Sequence, residues 1–214
     1  MATIQAAQLP DINFIKGKNV EQQQLQSIMR LRELAVKQQT AISDQIKGLL
    51  LEFNVRVSTK NGGLRGAVQL FIEDAENALS FEFRESFNTP YEQYVLLVKS
   101  IKTYECCLEE IVAQHSECTK LLKLEGVGTI NAVNLYIALG CADLGFFSKG
   151  KSASACIGLT PMQYFSGGKI KLGSTGKHVK NSLLRSQLIT GAMPAVTQAA
   201  KRTAVTKKVP GYKL

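Results

Sequence analysis

The stretch of this chain best suited to chemistry is a glycine-rich segment that contains one serine. Ser166 stands between Phe165 and the pair Gly167-Gly168. Flanking glycines let a backbone expose a side chain and approach a ligand closely. A serine hydroxyl that attacks a phosphodiester requires activation, and cations must stabilise the charge that develops on the phosphoryl oxygens. From the residues alone, a serine in a glycine loop is typical of an ordinary turn. The cations available nearby in the sequence are Lys169, Lys171, Lys177 and Arg185.

A second glycine turn lies upstream, between two apolar segments. Gly126-Val127-Gly128 follows the apolar end of one predicted helix, and Thr129 is expected to cap the next one. This arrangement resembles a helix-hairpin-helix, in which backbone N–H groups of the glycine turn face a DNA phosphate. An ordinary helical hairpin with a glycine cap has the same pattern, so the residues leave both interpretations open.

The distribution of charge favours a polyanionic partner. The chain has a net charge of +9, from 26 Lys and Arg against 17 Asp and Glu. Its last acidic residue is Asp143, and every Lys or Arg from Leu144 onward lacks an acidic neighbour in sequence. Nucleic acid is the commonest partner of such a surface, and a merely basic surface is the alternative. The residues predicted to contact nucleic acid are Gly126, Gly128, Thr129, Lys149, Lys151, Gln163, Gly167, Gly168, Lys169, Lys171, Lys177 and Arg185.

Other classes of protein find little support. The five cysteines show no spacing of metal ligands, so no metal site is predicted, and they indicate a reducing compartment. The acidic residues between Glu73 and Glu85 favour a solvated face over a metal site. No apolar run is long enough to span a membrane, and residues 1–14 show no charged n-region, so they are not expected to be a secretory signal. The expected location is the bacterial cytoplasm.

Two long helices are expected to position these segments. Residues 19–53 show a heptad pattern through Ile28, Ala35, Ile42 and Leu49. Thr89-Pro90 is predicted to start a second helix, whose apolar seam runs with steps of three and four from Tyr94 to Leu122 and includes His115 as a packed or interfacial residue. The partner of that seam is the first helix folded back, a second subunit, or both.

The fold class predicted is all-α, with a long antiparallel coiled-coil stalk and a small helical module. That module contains the helix-hairpin-helix-like motif and a Gly-rich loop over 158–176, with one short strand at 170–172. Shorter helices are expected at 64–79 and from 178 to Pro194. The predicted domains are a lead-in at 1–18, a dimerisation region at 19–120, a DNA-binding domain at 121–200 and a basic disordered tail at 201–214.

The order of several linked motifs resembles a known family. The chain is similar to the C-terminal half of the DEDD insertion-sequence transposases, which are relatives of the pilin-gene (Piv) site-specific invertase and of RNA-guided bridge recombinases. The resemblance covers most of residues 20–200. The segments that carry it are Gly126-Val127-Gly128, Phe147 to Lys151, Ile157 to Pro161, Gln163 to Lys169, Leu172-Gly173, Leu184 to Ser186 and Gly191-Ala192.

The resemblance implies DNA strand exchange guided by a structured RNA made from the mobile element. In that family an acidic, Mg²⁺-binding N-terminal domain works with a serine, and Ser166 is the matching position. The chain is expected to begin just past those acids, so no cofactor is expected in this chain and Mg²⁺ only with the missing domain. Phe165 replaces a small hydroxyl residue, and Lys180 replaces a glycine. Both departures weigh against activity of the chain alone.

These observations lead to one main hypothesis and two alternatives. The main one is the DNA-binding C-terminal portion of a transposase, inactive alone, with element ends or target DNA as partner. Structured RNA and a second copy of the chain, in a homodimer or higher oligomer, are further expected partners. The first alternative is a non-catalytic regulatory module that binds DNA or RNA and dimerises. The second is a purely structural coiled-coil protein.

Overall fold

The computed structural model of this protein describes most of the chain as helix. Its described residues are 17–58, 62–74, 76–77, 79–139, 147, 149–175 and 182–208, and the side chains of 162, 166 and 202–208 lie outside the description. Lys177, Lys180 and residues 1–16 and 209–214, on which several predictions fall, also lie outside it. The elements are α1 Val20–Glu52, α2 Gly63–Glu73, α3 Phe81–Gln114, α4 Ser116–Leu121, α5 Thr129–Leu139, α6 Gly150–Ile157, β1 Pro161–Ser166, β2 Lys169–Thr175 and α7 Ser182–Lys208.

The predicted all-α class is confirmed, with one addition. Within the described ranges the only sheet is the two-stranded pair of β1 and β2. The predicted first long helix matches α1 to within a residue at each end. None of the described helices is long and apolar enough to cross a membrane.

The chain divides into two compact units. The central unit comprises Ser27–Cys107, and the terminal unit comprises Met1–Gln26 together with Leu108–Leu214. The predicted domain boundaries at residues 18, 120 and 200 stay a prediction.

The central unit is organised around an aromatic cluster. The ring of Phe71, on α2, lies 5.1 Å from that of Phe87 and 5.2 Å from that of Phe53, measured between centroids. Phe83 completes the group. Rings at these separations and tilts contribute about 0.5–1.5 kcal/mol per pair beyond the area they bury. The fully or nearly buried side chains of this core are Ile46, Leu50, Leu64, Ala67, Val68, Phe71 and Phe87.

The aromatic core also explains why the predicted start of the second long helix is wrong. Helix α3 begins at Phe81, where the Ser80 hydroxyl accepts a hydrogen bond from the Phe83 N–H at 3.2 Å. Pro90 therefore lies inside the helix, although it removes one backbone donor there. Helical backbone before Pro90 places Phe83 and Phe87 in the core, and this burial outweighs the local signal.

The second helix of the central unit, α2, is shorter than predicted because an arginine closes it. Helix α2 ends at Glu73, and Arg84 donates hydrogen bonds to the carbonyl oxygens of Ile72 and Asp74. The Asn77 side chain donates to the Phe71 carbonyl at 2.7 Å. The last carbonyls of a helix lack partners within it, and these side chains supply them.

Within the central unit, α1 and α3 run antiparallel. Arg32 of α1 binds Glu105 near the end of α3, with Nη2–Oε1 at 2.5 Å and Nε–Oε1 at 3.0 Å. Toward the other end, Tyr94 of α3 packs against the cluster that contains Ile46 of α1. The seam residues from Tyr94 to Tyr104 are half-buried, whereas the knobs-into-holes packing of a coiled coil stays a prediction.

The terminal unit has a smaller core built from helices α5, α6 and α7. Its buried members are Leu135, Ile157 and Leu184. His115 lies at the break between α3 and α4, packed as predicted, with Nε2 at 3.2 Å from Glu21 Oε1 and its ring beside Tyr136. Cys118 is fully buried, and this burial, followed by the nearby charge of Glu117, raises the pKa of its thiol.

Helix α7 is longer than the sequence analysis predicted. It begins at Ser182 and continues through Pro194 to Lys208, so the expected stop at Pro194 is wrong. The backbone of 201–208 is helical, and the disordered tail predicted for 201–214 stays a prediction for the residues after Lys208. Alanine-rich sequence around Ala195 and Ala199-Ala200 has high helix propensity, which favours continuation after the proline.

Candidate nucleic-acid interface

The segment around Ser166 is a β-hairpin rather than the predicted loop with one short strand. Strands Pro161–Ser166 and Lys169–Thr175 pair in antiparallel fashion across Gly167-Gly168. Both glycines have positive φ, 56° and 76°, which is the requirement of a type I′ turn. The Gly-Gly pair between two extended runs is itself a hairpin signal, and the interpretation as a loop missed it.

The pairing register sorts the hairpin side chains onto two faces. Tyr164 pairs with Lys171, Phe165 pairs with Ile170, and Ser166 pairs with Lys169. Directly opposed residues share a face and neighbours along a strand alternate. Tyr164, Lys169 and Lys171 therefore line one face, which we call the cationic face.

The opposite face is apolar. It carries Phe165, Ile170 and Leu172 together with Gln163, which pairs with Leu172. All four side chains are exposed to solvent, as are the two lysines of the cationic face. We call this set of four residues the apolar face.

A glycine cap connects the hairpin to helix α6. Gly158 has a φ of 78°, its N–H bonds to the Ala155 carbonyl, and the Leu159 N–H bonds to the Ser154 carbonyl. This is the pattern of a Schellman motif, in which glycine ends a helix in the left-handed conformation. At the other end of the same helix, Lys149 and Lys151 are both exposed. The chain thus carries two predicted cations at the start of α6, Lys149 at its capping position and Lys151 in its first turn, and two on the hairpin that follows it.

Arg185, predicted to contact nucleic acid, holds the base of the hairpin. Its Nε donates to the Gly158 carbonyl at 3.1 Å, and its Nη2 donates to Thr175 Oγ1 at 3.3 Å. Gly158 precedes β1, and Thr175 ends β2. Because its guanidinium bridges both strand ends, Arg185 orients the hairpin on helix α7.

The glycine turn at 126–128 also depends on helix α7. Gly126 has a φ of 84°, and a Cβ built on it would lie 2.5 Å from the Gly191 carbonyl oxygen. Gly126 is therefore required by close backbone packing. Gly128 has open space around it, and its carbonyl accepts the Ala132 N–H as α5 begins at Thr129. The expectation that Thr129 caps this helix is wrong, because Gly128 occupies the capping position.

Two asparagines, which the sequence analysis did not single out, join α5 to α7. The buried Asn131 side chain donates to the carbonyls of Gly126 at 3.5 Å and Gln187 at 3.3 Å. Asn134 Nδ2 donates to Gln187 Oε1 at 2.6 Å. Two amides in an otherwise apolar helix were the available signal, since a buried amide requires partners. One helix, α7, thus holds both the glycine turn and the hairpin.

Two predicted site residues, Ser166 and Lys177, remain to be located. Ser166 is the last residue of β1, next to the turn, and Lys177 lies outside the described residues. No group of three or more His, Cys, Asp and Glu in the described ranges is arranged to hold a metal ion.

Comparison with known proteins gives a consistent result. Residues 118–206 match the model of the family described as Transposase IS116/IS110/IS902. A transposase for insertion sequence element IS1111A from Coxiella burnetii is 29% identical over 202 residues, covering 94% of this chain and 55% of that protein. A probable family 20 transposase from Pseudomonas aeruginosa is 31% identical over 206 residues, covering 94% of this chain and 59% of that protein.

The matches cover nearly all of this chain but only part of each relative. The chain spans a little over half the length of these two relatives. No solved structure matches the chain significantly. Along nearly its whole length, this chain is similar to transposases of insertion sequences.

Proposed function

We propose that this chain is the nucleic-acid-binding portion of an insertion-sequence transposase, with the C-terminal position in the whole enzyme that the motif order implies. The observation that carries the proposal is the exposed basic hairpin within the matched segment, on a chain similar to transposases over 94% of its length. No acidic residue follows Asp143 in the sequence to neutralise the lysines there. Exposed lysines without acidic neighbours attract phosphates.

The binding role is tested by removing charge from the hairpin. Lys169→Gln with Lys171→Gln is expected to weaken binding to DNA and to reduce the salt dependence of log K by about 2 in slope, one per lost phosphate contact. The matched control is Lys99→Gln with Lys102→Gln, two exposed lysines on α3. Fluorescence anisotropy over a salt series measures both. Equal weakening by the two pairs would contradict a specific role for the hairpin.

The catalytic part of the proposal concerns Ser166. Its place beside the Gly-Gly turn fits the serine that the family resemblance implies, and activation of its hydroxyl would then come from the acidic, Mg²⁺-binding domain of the whole transposase. We therefore expect the purified chain alone to leave supercoiled DNA intact in the presence of Mg²⁺. Nicking that disappears in Ser166→Ala would contradict inactivity of the chain while supporting the role of the serine.

Self-association through the long helices is a further part of the proposal. Leu31 and Leu34 on α1 and Leu96 on α3 are large apolar side chains that are exposed in the single chain. A second copy that covers them would remove this area from water. Leu96→Glu is expected to lower the mass measured by light scattering toward that of one chain. Leu70→Glu, at an equally exposed position on α2, is expected to leave it unchanged.

Structured RNA made from the mobile element is proposed as a second nucleic-acid partner. The cationic face of the hairpin carries Lys169 and Lys171, and phosphates of RNA suit it as well as those of DNA. Competition between a labelled DNA and a folded RNA in the same anisotropy assay tests whether both bind one surface. Simultaneous binding without competition would place the RNA elsewhere.

A further inference from the structure

The apolar face of the hairpin is unusually exposed for side chains of its type. Phe165 is 71% exposed, and Ile170 and Leu172 are each 63% exposed. A two-stranded hairpin has little stability of its own in water. Exposure of three large apolar side chains to solvent is also unfavourable for the free chain. Such a patch indicates a surface that a partner covers.

Charge around the patch restricts the partner. The same hairpin carries Lys169 and Lys171 on its cationic face, and its sequence from Pro161 to Thr175 contains no Asp or Glu. The partner must therefore offer negative groups and flat apolar surface within the width of one β-ribbon. Nucleic acid combines phosphates with base faces at this scale, and the faces become accessible where bases are unpaired or unstacked.

We infer that the hairpin binds nucleic acid at unpaired or unstacked bases, with Phe165 and Ile170 against the base faces and Lys169 and Lys171 near the phosphates. This inference rests on the proposed nucleic-acid function and specifies the form of nucleic acid that the hairpin prefers. A perfect duplex buries its base faces in the stack, so it can satisfy the lysines but leaves Phe165 exposed. Aromatic and apolar side chains that insert between bases act in this way in other proteins.

The test compares three fluorescent probes of equal length: a perfect duplex, the same duplex with a central unpaired bubble, and a single strand. The wild-type chain is expected to bind the bubble and the single strand more tightly than the duplex. Phe165→Ala is expected to weaken binding to the bubble roughly 5- to 150-fold, as for the loss of one stacked base, and to change duplex affinity by less than about twofold. Phe81→Ala is the matched control, because Phe81 on α3 is 72% exposed.

A second readout separates stacking from a change in folding. A 2-aminopurine in the bubble should change its fluorescence when the wild-type chain binds and not when Phe165→Ala binds at saturation. Far-UV circular dichroism of the variant should match that of the wild type, since the replaced ring is mostly in solvent. A stacking signal that survives in Phe165→Ala would overturn the inference.

The other possible results separate failure of the base-stacking inference from failure of nucleic-acid binding altogether. Equal affinity for all three probes, unchanged by Phe165→Ala, would overturn the inference while nucleic-acid binding stands. Failure to retain any probe at low salt would overturn the proposed function and this inference together. Lysines beside exposed apolar groups also suit an anionic membrane. Binding to phosphatidylserine vesicles that Phe165→Ala abolishes, without preference for unpaired bases, would replace the inference by a lipid surface.

Discussion

Replacement of Gly191 by alanine should destabilise the terminal unit, although the same change in most helices is stabilising. Gly191 lies inside α7 and has no positive φ, so alanine suits its backbone conformation. A Cβ at this position would nevertheless overlap the carbonyl oxygen of Gly126 and lie 2.9 Å from Nδ2 of Asn131. The first of these neighbours is backbone, which cannot move aside as a flexible side chain can.

The size of the effect follows from one favourable and two unfavourable contributions. Glycine to alanine in a helix interior is worth about 1 kcal/mol in favour of the folded state. Overpacking against fixed atoms costs about 1–3 kcal/mol, and loss of the Asn131 bond to Gly126 adds about 1 kcal/mol. We therefore expect Gly191→Ala to lower the free energy of unfolding by about 1–3 kcal/mol. Gly48→Ala, in the part of α1 that belongs to the central unit and with open space around it, should raise the free energy of unfolding of the central unit by up to about 1 kcal/mol.

Hydrogen exchange measured by mass spectrometry on peptides from Thr129–Leu139 provides the assay. Each 1.4 kcal/mol corresponds to a tenfold change, so amide protection in α5 should fall about 5- to 140-fold in Gly191→Ala. Gly150→Ala, at the first residue of α6 in the same unit, serves as the control, because nothing lies within 4 Å of a Cβ there. If Gly191→Ala left α5 protection unchanged or raised it, the close contact between Gly126 and Gly191 would be refuted.

Three further predictions concern other parts of the chain. Arg84→Ala should lower the stability of the central unit by about 2–4 kcal/mol in urea denaturation, because the final carbonyls of α2 lose a charged donor; a loss below about 1 kcal/mol would speak against this role. Arg185→Gln should increase hydrogen exchange in the hairpin at least about tenfold while α5 stays protected, and unchanged exchange in the hairpin would exclude the orienting role. Burial raises the pKa of the Cys118 thiol, so at pH 8 less of it is thiolate and iodoacetamide should alkylate it at least about tenfold more slowly than the exposed Cys156. Equal rates for the two thiols in the folded chain would contradict its burial.

Much of the helical plan could be predicted from the sequence because it depends on local periodicity. The heptad pattern gave α1 to within a residue at each end. The start of α3 could not be predicted in this way, since Thr89-Pro90 is a strong local capping signal that tertiary packing overrides. Phe83 and Phe87 lie before that proline, and only their contacts with Phe71 explain why the helix extends back to include them.

In the candidate site, too, some features could be predicted from the sequence and others depend on the folded structure. Its positive charge, its two glycine pairs and its similarity to transposase motifs are properties of composition and order, and the sequence is enough to predict them. The separation of a cationic from an apolar face is a property of strand register, which depends on which residue of β1 lies opposite which residue of β2.

By itself, the sequence determined the sign of the surface charge, the helical class and the position of the glycine turns, because each depends on residues close together in the chain. The tertiary structure decided that Gly126 is indispensable to packing whereas Gly128 is not, and that Arg185 is bound at the base of the hairpin. Gly126 packs against Gly191 of α7, and Arg185 binds Gly158 and Thr175. The residues of these pairs are about 10 to 65 positions apart in the chain, and no local pattern encodes a contact over that separation.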